Sequence, residues 1–255
     1  MRILAIDVGG TNLKILASGH DQPRKVPSGP RMTARRMVSE VKRLAKDWDY
    51  DVISLGYPGA VLDDRPVSEP RNLAPGWVGF DFEKAFGCPV RILNDAAMQA
   101  LGSYERGKML FLGLGTGLGS CAVVNGKVGP LELAHLPYKK GTLEDYVGRK
   151  RLRRRGAAKW TQDVIEVVQR LNEAFQPDEI VLGGGNAKKL TAIPRGCRLG
   201  SNALAFVGGY RMWEDHDRTR RRTARASAAK RRAHPRARGK ARSRNAPAAG
   251  AGGPS

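Results

Sequence analysis

Asp7 is the first residue of this sequence whose neighbours suit chemistry on a phosphate. It follows the apolar run 3–6 and precedes two glycines and a threonine, Gly9, Gly10 and Thr11. Glycines lack a Cβ atom, so backbone N–H groups in such a turn can approach a phosphate closely, and a carboxylate just before them can hold a hydrated Mg²⁺ ion. The same pattern also occurs in simple hairpin turns, and that alternative stays open.

A second glycine turn of the same form lies farther along the chain. Residues 109–112 are apolar, Gly115, Thr116 and Gly117 begin the turn GTGLG, and residues 120–124 form a returning apolar segment. Each turn alone could be structural, but two of them on duplicated strands suit a cleft that holds a phosphoryl donor. Neither has the G-x-G-x-x-G pattern, long helix and downstream acid of a dinucleotide-binding fold, and no Walker A lysine occurs.

Asp95 and the pair Glu132 and His135 are candidates for the acceptor side of a reaction. Asp95 directly follows the apolar run 90–93, where its carboxylate could accept the proton of an attacking hydroxyl. An aspartate before Ala96 could equally cap a helix. Glu132 and His135, in the sequence ELAH, could bracket sugar hydroxyls, although a single histidine is more often structural.

Short strands and amphipathic helices alternate around these residues. Buried strands are predicted at 3–6, 13–17, 52–55, 90–93 and 180–182, and the first two are joined by the Gly9-Gly10 turn. Asn125-Gly126 predicts a type I′ hairpin after the second glycine turn. Helical spacing of apolar residues appears over 37–45 and 164–175. Because ligands of α/β proteins bind beyond the carboxyl ends of strands, these junctions predict one shared cleft.

Composition separates the chain into a foldable part and a basic tail. Its 255 residues have a formal net charge of +21, and the 42 residues 214–255 hold 13 Lys and Arg against 3 Asp and Glu. The tail has only Ala, Pro and Gly as apolar residues, so we predict disorder. It is either a solvated extension or a non-specific contact for polyanions.

Cysteine usage and the N-terminus indicate a cytoplasmic protein. The three cysteines, Cys88, Cys121 and Cys197, are far apart and fit neither a disulfide framework nor a zinc spacing. The first residues do not have the organisation of a signal peptide, and we expect no membrane contact because no apolar run approaches the ~18 residues of a membrane span.

Seven segments, taken in order, resemble the ROK family of sugar kinases and repressors. They are DVGGT, GYPGAV, NLAPGW, LNDA, GTGLG, ELAH and VLGGGNA, and the resemblance covers about residues 1–213. The segments LPYKKGTLEDYVG and GSNALAFVGGYRMW are similar to those of the polyphosphate glucokinase-like branch. The family's repressors carry a helix-turn-helix domain before the core, and the core strand here begins at Arg2, so a DNA-binding regulator is not expected.

The resemblance implies an α/β, actin-like ATPase (RNase H-like) fold of duplicated domains around a central cleft. The expected parts are an N-terminal half-domain at 1–93, a C-terminal half-domain at 94–200, a closing helix at 201–213 that returns to the first half, and the tail at 214–255. The implied activity is transfer of a phosphoryl group from ATP or polyphosphate to the 6-hydroxyl of glucose or a related hexose, by a homodimer with Mg²⁺.

The resemblance also implies a role for each candidate residue. Asp95 would be the general base. The sugar-binding residues would be Asn72, Asn94, Glu132, His135 and Glu144. The phosphate or nucleotide site would contain Asp7, which also holds Mg²⁺ through water, together with Gly9, Gly10, Thr11, Lys14, Gly115, Thr116, Gly117, Gly183, Gly184 and Gly185.

The sequence departs from the family pattern in two places. Family members commonly carry a cysteine-rich zinc loop after the Glu/His motif, but residues 136–144 contain no cysteine, so no structural zinc is expected. Ala134 replaces a usual glycine, a change that is tolerated unless a positive φ is required there.

A basic strip follows the predicted sugar loop and bears on the donor. A long polyanion would be attracted to it, although such a run is often only a solvated surface. The strip consists of Lys139, Lys140, Arg149, Lys150, Arg151, Arg153, Arg154 and Arg155.

Two further functions stay open. One is a catalytically silent ROK-like binding or regulatory protein, and the other is a polyanion-binding protein that acts through its tail.

Overall fold

A computed structural model describes residues 1–214 of the chain. The basic tail predicted at 214–255 therefore lies outside the described residues, apart from Glu214. No helix within residues 1–214 is both long and apolar enough to cross a bilayer.

Fourteen strands are found in the described part of the chain, and seven of them overlap the apolar runs that the sequence predicts as strands. In chain order they are β1 (Ile3–Val8), β2 (Asn12–Ala17), β3 (Arg24–Pro27), β4 (Val52–Tyr57), β5 (Val61–Leu62), β6 (Arg65–Pro66), β7 (Val90–Asn94), β8 (Lys108–Leu114), β9 (Leu118–Val124), β10 (Lys127–Leu131), β11 (Pro137–Tyr138), β12 (Gly141–Thr142), β13 (Glu179–Gly183) and β14 (Cys197–Leu199).

Six α-helices and two short 3₁₀ helices connect the strands over the same residues. The longest helix, α5, contains Gly156 at φ 75°, which breaks it into two helical segments. The helices are α1 (Ala34–Leu44), α2 (Phe82–Phe86), α3 (Asp95–Ser103), α4 (Leu143–Val147), α5 (Arg149–Phe175) and α6 (Leu204–Arg211), and the 3₁₀ helices are Leu133–His135 and Ala187–Lys189.

Two five-stranded sheets repeat one topology. The first has the order β3-β2-β1-β4-β7 and the second the order β10-β9-β8-β13-β14. In each sheet the first three strands form antiparallel pairs and the last two run parallel to the central strand. Asn125 and Gly126 both have positive φ, at 50° and 79°, as the predicted type I′ hairpin requires. The predicted duplication of a strand, glycine turn and strand is therefore confirmed.

Each sheet has its own hydrophobic core, and α3 and α6 pack between the two sheets. α3 contacts strands of both sheets, and α6 packs on α3, β1 and β4. The two helices cross very closely, because a Cβ atom on Gly102 would lie 1.8 Å from the Leu204 carbonyl oxygen and one on Gly208 would lie 1.8 Å from that of Met98. The strands of each sheet fall within the predicted halves 1–93 and 94–200 except for Asn94, while the exact boundaries stay a prediction.

Candidate active site

The carboxyl ends of three parallel strands bring Asp7, Tyr57 and Asn94 to one edge of the first sheet. Asp7 is paired in register with Gly56 of β4, and Tyr57 with Asn94 of β7. Loops that follow parallel strands collect at this edge, which is where ligands of α/β proteins bind. Asp95 follows Asn94 immediately and begins α3.

Asn94 is the N-cap of α3. Its Oδ1 atom accepts hydrogen bonds from the N–H groups of Ala96 and Ala97 at 3.0 and 3.3 Å, and its Nδ2 donates to the Gly59 carbonyl oxygen at 3.0 Å. The alternative that Asp95 is the cap is therefore wrong, although Asp95 Oδ1 also accepts from Ala96 N–H at 2.8 Å. Most of the Asn94 amide is used within the fold, and a sugar contact through its second N–H stays a prediction.

The pKa of Asp95 is raised from its ordinary value of 3.8 to about 7. Burial of this half-buried carboxylate is the main cause, and the negative charge of Asp7 is the next. Glu132 adds a smaller effect in the same direction, and the Ala96 N–H opposes it. Three carboxylates are thus close enough to influence one another, and Asp95 has a pKa that suits a general base near neutral pH.

The first glycine turn leaves part of its backbone available. Gly9 N–H donates to the Asn12 carbonyl oxygen at 3.0 Å, and the Ser28 hydroxyl donates to the Gly9 carbonyl oxygen. The Gly9 N–H group is therefore used within the turn, and the phosphate contacts of Gly9, Gly10 and Thr11 stay a prediction. Asp7, just before the turn, forms a 3.0 Å ion pair with Lys14 of β2.

The second glycine turn is also partly closed on itself. Gly115 N–H donates to the Gly117 carbonyl oxygen at 3.0 Å, so Thr116 and Gly117 have the amides that remain for a phosphate. Thr116 is exposed, and its carbonyl oxygen accepts from Arg149 N–H at 3.2 Å. On the opposite side, a Cβ atom on Gly119 would lie 2.7 Å from that of Ala96. The turn is therefore next to the start of α3 and to Asp95.

Asn186 joins the second glycine turn to the predicted glycine segment 183–185. Its side chain donates to the Gly115 carbonyl oxygen at 2.7 Å and its backbone N–H to that of Leu114 at 2.9 Å. Gly184 has φ 82° and lies so close to Leu114 that a Cβ atom would be 2.6 Å from backbone. Gly185 is exposed, and Gly183 is buried beneath Phe111. Asn186 was not singled out from the sequence, although it belongs to the motif VLGGGNA.

Contacts place three of the predicted sugar-binding side chains, Asn72, His135 and Glu144, relative to the glycine turns and to one another. A Cβ atom on Gly10 would lie 3.1 Å from that of Asn72, so the Asn72 loop lies against the first glycine turn. Arg71 Nη2 is 3.5 Å from His135 Nε2, which brings the ELAH segment to the same place. Glu144 is directed at the second glycine turn, where it accepts from Leu118 N–H at 3.1 Å.

Glu69 organises the Asn72 loop and was missed by sequence reasoning. Its carboxylate accepts hydrogen bonds from the N–H groups of Gly76, Trp77 and Val78 at 3.1 to 3.2 Å. Burial alone would raise the pKa of Glu69, but these three donors lower it below its ordinary value. A glutamate that folds a loop in this way has no local sequence signature, because its partners are backbone groups.

Comparison with known proteins gives consistent matches. The family model of the ROK family matches residues 3–130. Polyphosphate glucokinase of Mycobacterium tuberculosis is 29% identical over 161 residues, which are 54% of this chain and 57% of that protein. N-acetylmannosamine kinase of Vibrio vulnificus is 30% identical over 147 residues, 49% of this chain and 48% of that protein. The chain thus spans about half the length of these relatives.

Solved structures agree on the fold. The inorganic polyphosphate/ATP-glucomannokinase of Arthrobacter sp. strain KM has a TM-score of 0.69 at 21% identity, over 81% of this chain and 96% of that one. This likeness and the duplicated mixed sheets fit the predicted actin-like ATPase fold.

Proposed function

The chain belongs to the ROK family, and from that premise we propose that it is a sugar kinase that phosphorylates the 6-hydroxyl of glucose or a related hexose. The observation that supports this proposal best is the position of Asp95. Its carboxylate begins α3 beside the second glycine turn, and its pKa is raised to about 7 by burial first and then by the negative charges of Asp7 and Glu132. A carboxylate with that pKa can accept a hydroxyl proton near neutral pH.

The residues around Asp95 supply the remaining parts of phosphoryl transfer. The amides of Gly10, Thr11, Thr116 and Gly117 would bind phosphate oxygens, while four side chains would orient the sugar: Asn72, Glu132, His135 and Glu144. Holding both substrates in line and excluding water is the main task of such an enzyme, since the protein forms no covalent bond.

A magnesium ion fits beside Asp7. In phosphoryl-transfer sites Mg²⁺ usually keeps several waters and is bound by one or two carboxylates and the substrate's phosphates. Residues 1–214 contain no group of three His, Cys, Asp or Glu side chains that could hold a metal ion. The ion would neutralise charge on the donor's phosphates, while Lys14 fixes the Asp7 carboxylate.

The donor would be ATP or inorganic polyphosphate, and the basic strip favours polyphosphate as an additional donor. Lys139 and Arg151 form ion pairs with Glu166 and Asp163, so they are not available to a ligand. Lys150, Arg153 and Arg154 are exposed and share one face of α5 at i, i+3 and i+4 spacing. We call these three residues the stripe. Arg149, the first residue of that helix, donates its N–H to the carbonyl oxygen of Thr116 in the second glycine turn. A long polyanion could therefore continue from this turn along the stripe.

A parallel assay of sugars and donors tests the activity. Glucose, mannose and N-acetylmannosamine are each offered with ATP and with polyphosphate, and formation of the 6-phosphate is measured. Asp95→Asn should lower kcat by a factor of about 10² to 10⁴, whereas Asp21→Asn, an exposed aspartate outside the site, should not. Near wild-type turnover by Asp95→Asn would exclude it as the base.

Variants of the stripe test the donor path. Replacing all three residues by Gln should raise the KM for polyphosphate about tenfold at low salt and leave the KM for ATP unchanged. The matched control replaces Arg35, Arg36 and Lys42, three exposed cations of α1, by Gln. Equal effects of the two triple variants would show that only net charge matters.

A catalytically silent ROK-like binding protein is the alternative function. It would bind a hexose in calorimetry and give no product with either donor. A role through the basic tail alone would instead leave sugar binding absent and polyanion binding dependent on residues 214–255. The homodimer and the cytoplasmic location stay proposals, and light scattering tests the first.

A further inference from the structure

The segment from Leu136 to Val147 connects two of the proposed sugar-binding side chains, His135 before it and Glu144 within it. It forms the β11–β12 hairpin and α4, and its ends are joined by a hydrogen bond from Leu143 N–H to the Leu136 carbonyl oxygen at 3.0 Å. It contains no cysteine. Leu143 and Val147 of its α4 share a hydrophobic core with Trp160 and Val164 of α5, while charged and aromatic side chains hold the hairpin to that helix.

An ion pair links the tip of the hairpin to α5. Lys139 Nζ is 2.5 Å from Oε2 of Glu166, and Arg170 Nη2 is 3.5 Å from Oε1 of the same carboxylate. The Lys139 and Glu166 side chains are 40% and 39% exposed. The hydrogen bond from Lys139 is the main reason that the pKa of Glu166 lies below its ordinary value. Both carboxylate oxygens of Glu166 therefore face a cation.

Aromatic rings surround this ion pair on the hairpin side. Tyr138 and Tyr146 pack edge to face, with centroids 4.9 Å apart at 87°. Lys139 Nζ lies 5.0 and 5.5 Å from the two ring centroids. The Arg151 guanidinium lies 4.7 Å from the Tyr146 ring and pairs with Asp163 at 2.6 Å. Cations at such distances from aromatic faces are attracted to them, so the rings and charges hold one another in place.

The backbone at Lys139 shows that the hairpin tip is held by these contacts rather than by local preference. Lys139 has φ 52°, a left-handed conformation that is unfavourable for a lysine and readily adopted by asparagine or glycine. Lysine at this position therefore needs compensating interactions, and the structure shows its ion pair with Glu166 and its contacts with the rings of Tyr138 and Tyr146.

We propose that Lys139 and Glu166 are positioning residues that fix the segment 136–147 on α5 and thereby set the orientation of His135 and Glu144 toward the hexose. Neither side chain contacts the sugar in this proposal. His135 is four residues before Lys139 and Glu144 five residues after it, so displacement of the tip is transmitted to both. This inference rests on the proposed kinase function.

Glu166→Gln tests the proposal against a matched control on the same helix. It should raise the KM for hexose about three- to tenfold and leave kcat and the KM for the donor within about twofold. The control is Glu173→Gln, an exposed glutamate two turns farther along α5 for which the described residues provide no ion pair. A hexose KM raised equally by both variants, or by neither, would overturn the proposal.

Variants at Lys139 separate the ion pair from the conformation of the turn. Lys139→Asn favours the left-handed tip but removes the charge, so the proposal expects a raised hexose KM, while Lys139→Arg should be within twofold of wild type. Lys139→Asn combined with Glu166→Gln should be no worse than either change alone, because the two residues act as a unit. A wild-type hexose KM for Lys139→Asn, or additive effects in the double variant, would contradict it.

Hydrogen exchange gives a readout that does not need turnover. Peptides that span residues 136–147 should exchange faster in Glu166→Gln and not in Glu173→Gln. Unchanged exchange would overturn the positioning proposal even in an active enzyme. A wild-type protein that binds hexose without phosphorylating it would instead refute the proposed kinase function and leave this test intact.

Discussion

Replacing Asp95 by Asn should stabilise the folded chain at neutral and alkaline pH while it removes activity. The pKa of Asp95 is raised in the folded state from 3.8 to about 7, chiefly by burial and by Asp7. The unfolded chain therefore loses the Asp95 proton at a lower pH than the folded chain does. As a result, the carboxylate lowers the free energy of unfolding increasingly as pH rises from about 4 to about 7. Asparagine has the same shape and can accept the Ala96 N–H bond, but it carries no charge.

The magnitude follows from the shift. A difference of about three pH units corresponds to about 4 kcal/mol at full effect, and partial exposure of Asp95 reduces this. We expect the gain in the free energy of unfolding of Asp95→Asn over wild type to grow by about 2 kcal/mol between pH 5 and pH 8. The gain should be smallest at pH 5, where the folded wild type holds its proton.

Urea unfolding of both proteins at pH 5, 6, 7 and 8, followed by circular dichroism, measures this difference. Asp21→Asn, an exposed aspartate outside the site, is treated in the same way as a control. If the stability difference between Asp95→Asn and wild type did not change with pH, or if the variant were less stable at pH 8 than at pH 5 relative to wild type, the raised pKa would be wrong.

Three further outcomes follow from the site. Because Asp95 must be deprotonated to accept a proton, kcat/KM should rise with pH through about 7, and a flat profile from pH 5 to 8 would contradict its role. Gly184→Ala should lower the free energy of unfolding by about 2 kcal/mol or more, since φ is 82° and Leu114 leaves no room for a Cβ, whereas Gly185→Ala, in open space, should be near neutral. Glu69→Gln should weaken the three bonds that fold the loop after it and raise the KM for hexose but not for the donor, as steady-state kinetics would show.

The strands and glycine turns could be predicted from sequence because their signals are local. Asn125-Gly126 specifies positive φ at two successive residues, and short apolar runs bounded by glycines read as buried strands. The helix after the run 90–93 was harder to assign in detail. Asn94 and Asp95 are both good capping residues, and only the path of the backbone decides that Asn94 is the cap.

Features that depend on distant partners could not be predicted in the same way. Charge counting treats the basic strip as uniform, yet Arg151 pairs with Asp163 beyond the break at Gly156, and Lys139 pairs with Glu166. One glycine in a helical pattern does not by itself predict a break, because its cost of about 1 kcal/mol is within what tertiary packing can supply. The sequence predicts the members of the candidate site as a set. Which of their backbone N–H groups are left without a partner inside the fold can be read only from the structure.

The crossing of α3 and α6 has a consequence for mutational tolerance. A Cβ atom added to Gly102 or Gly208 would lie only 1.8 Å from a carbonyl oxygen of the opposite helix, so neither position has room for even one methyl group. A saturation library scored for sugar phosphorylation should therefore recover glycine alone at both positions. No second-site change at one should rescue the other, because the obstacle at each is main chain, which side-chain repacking does not relieve.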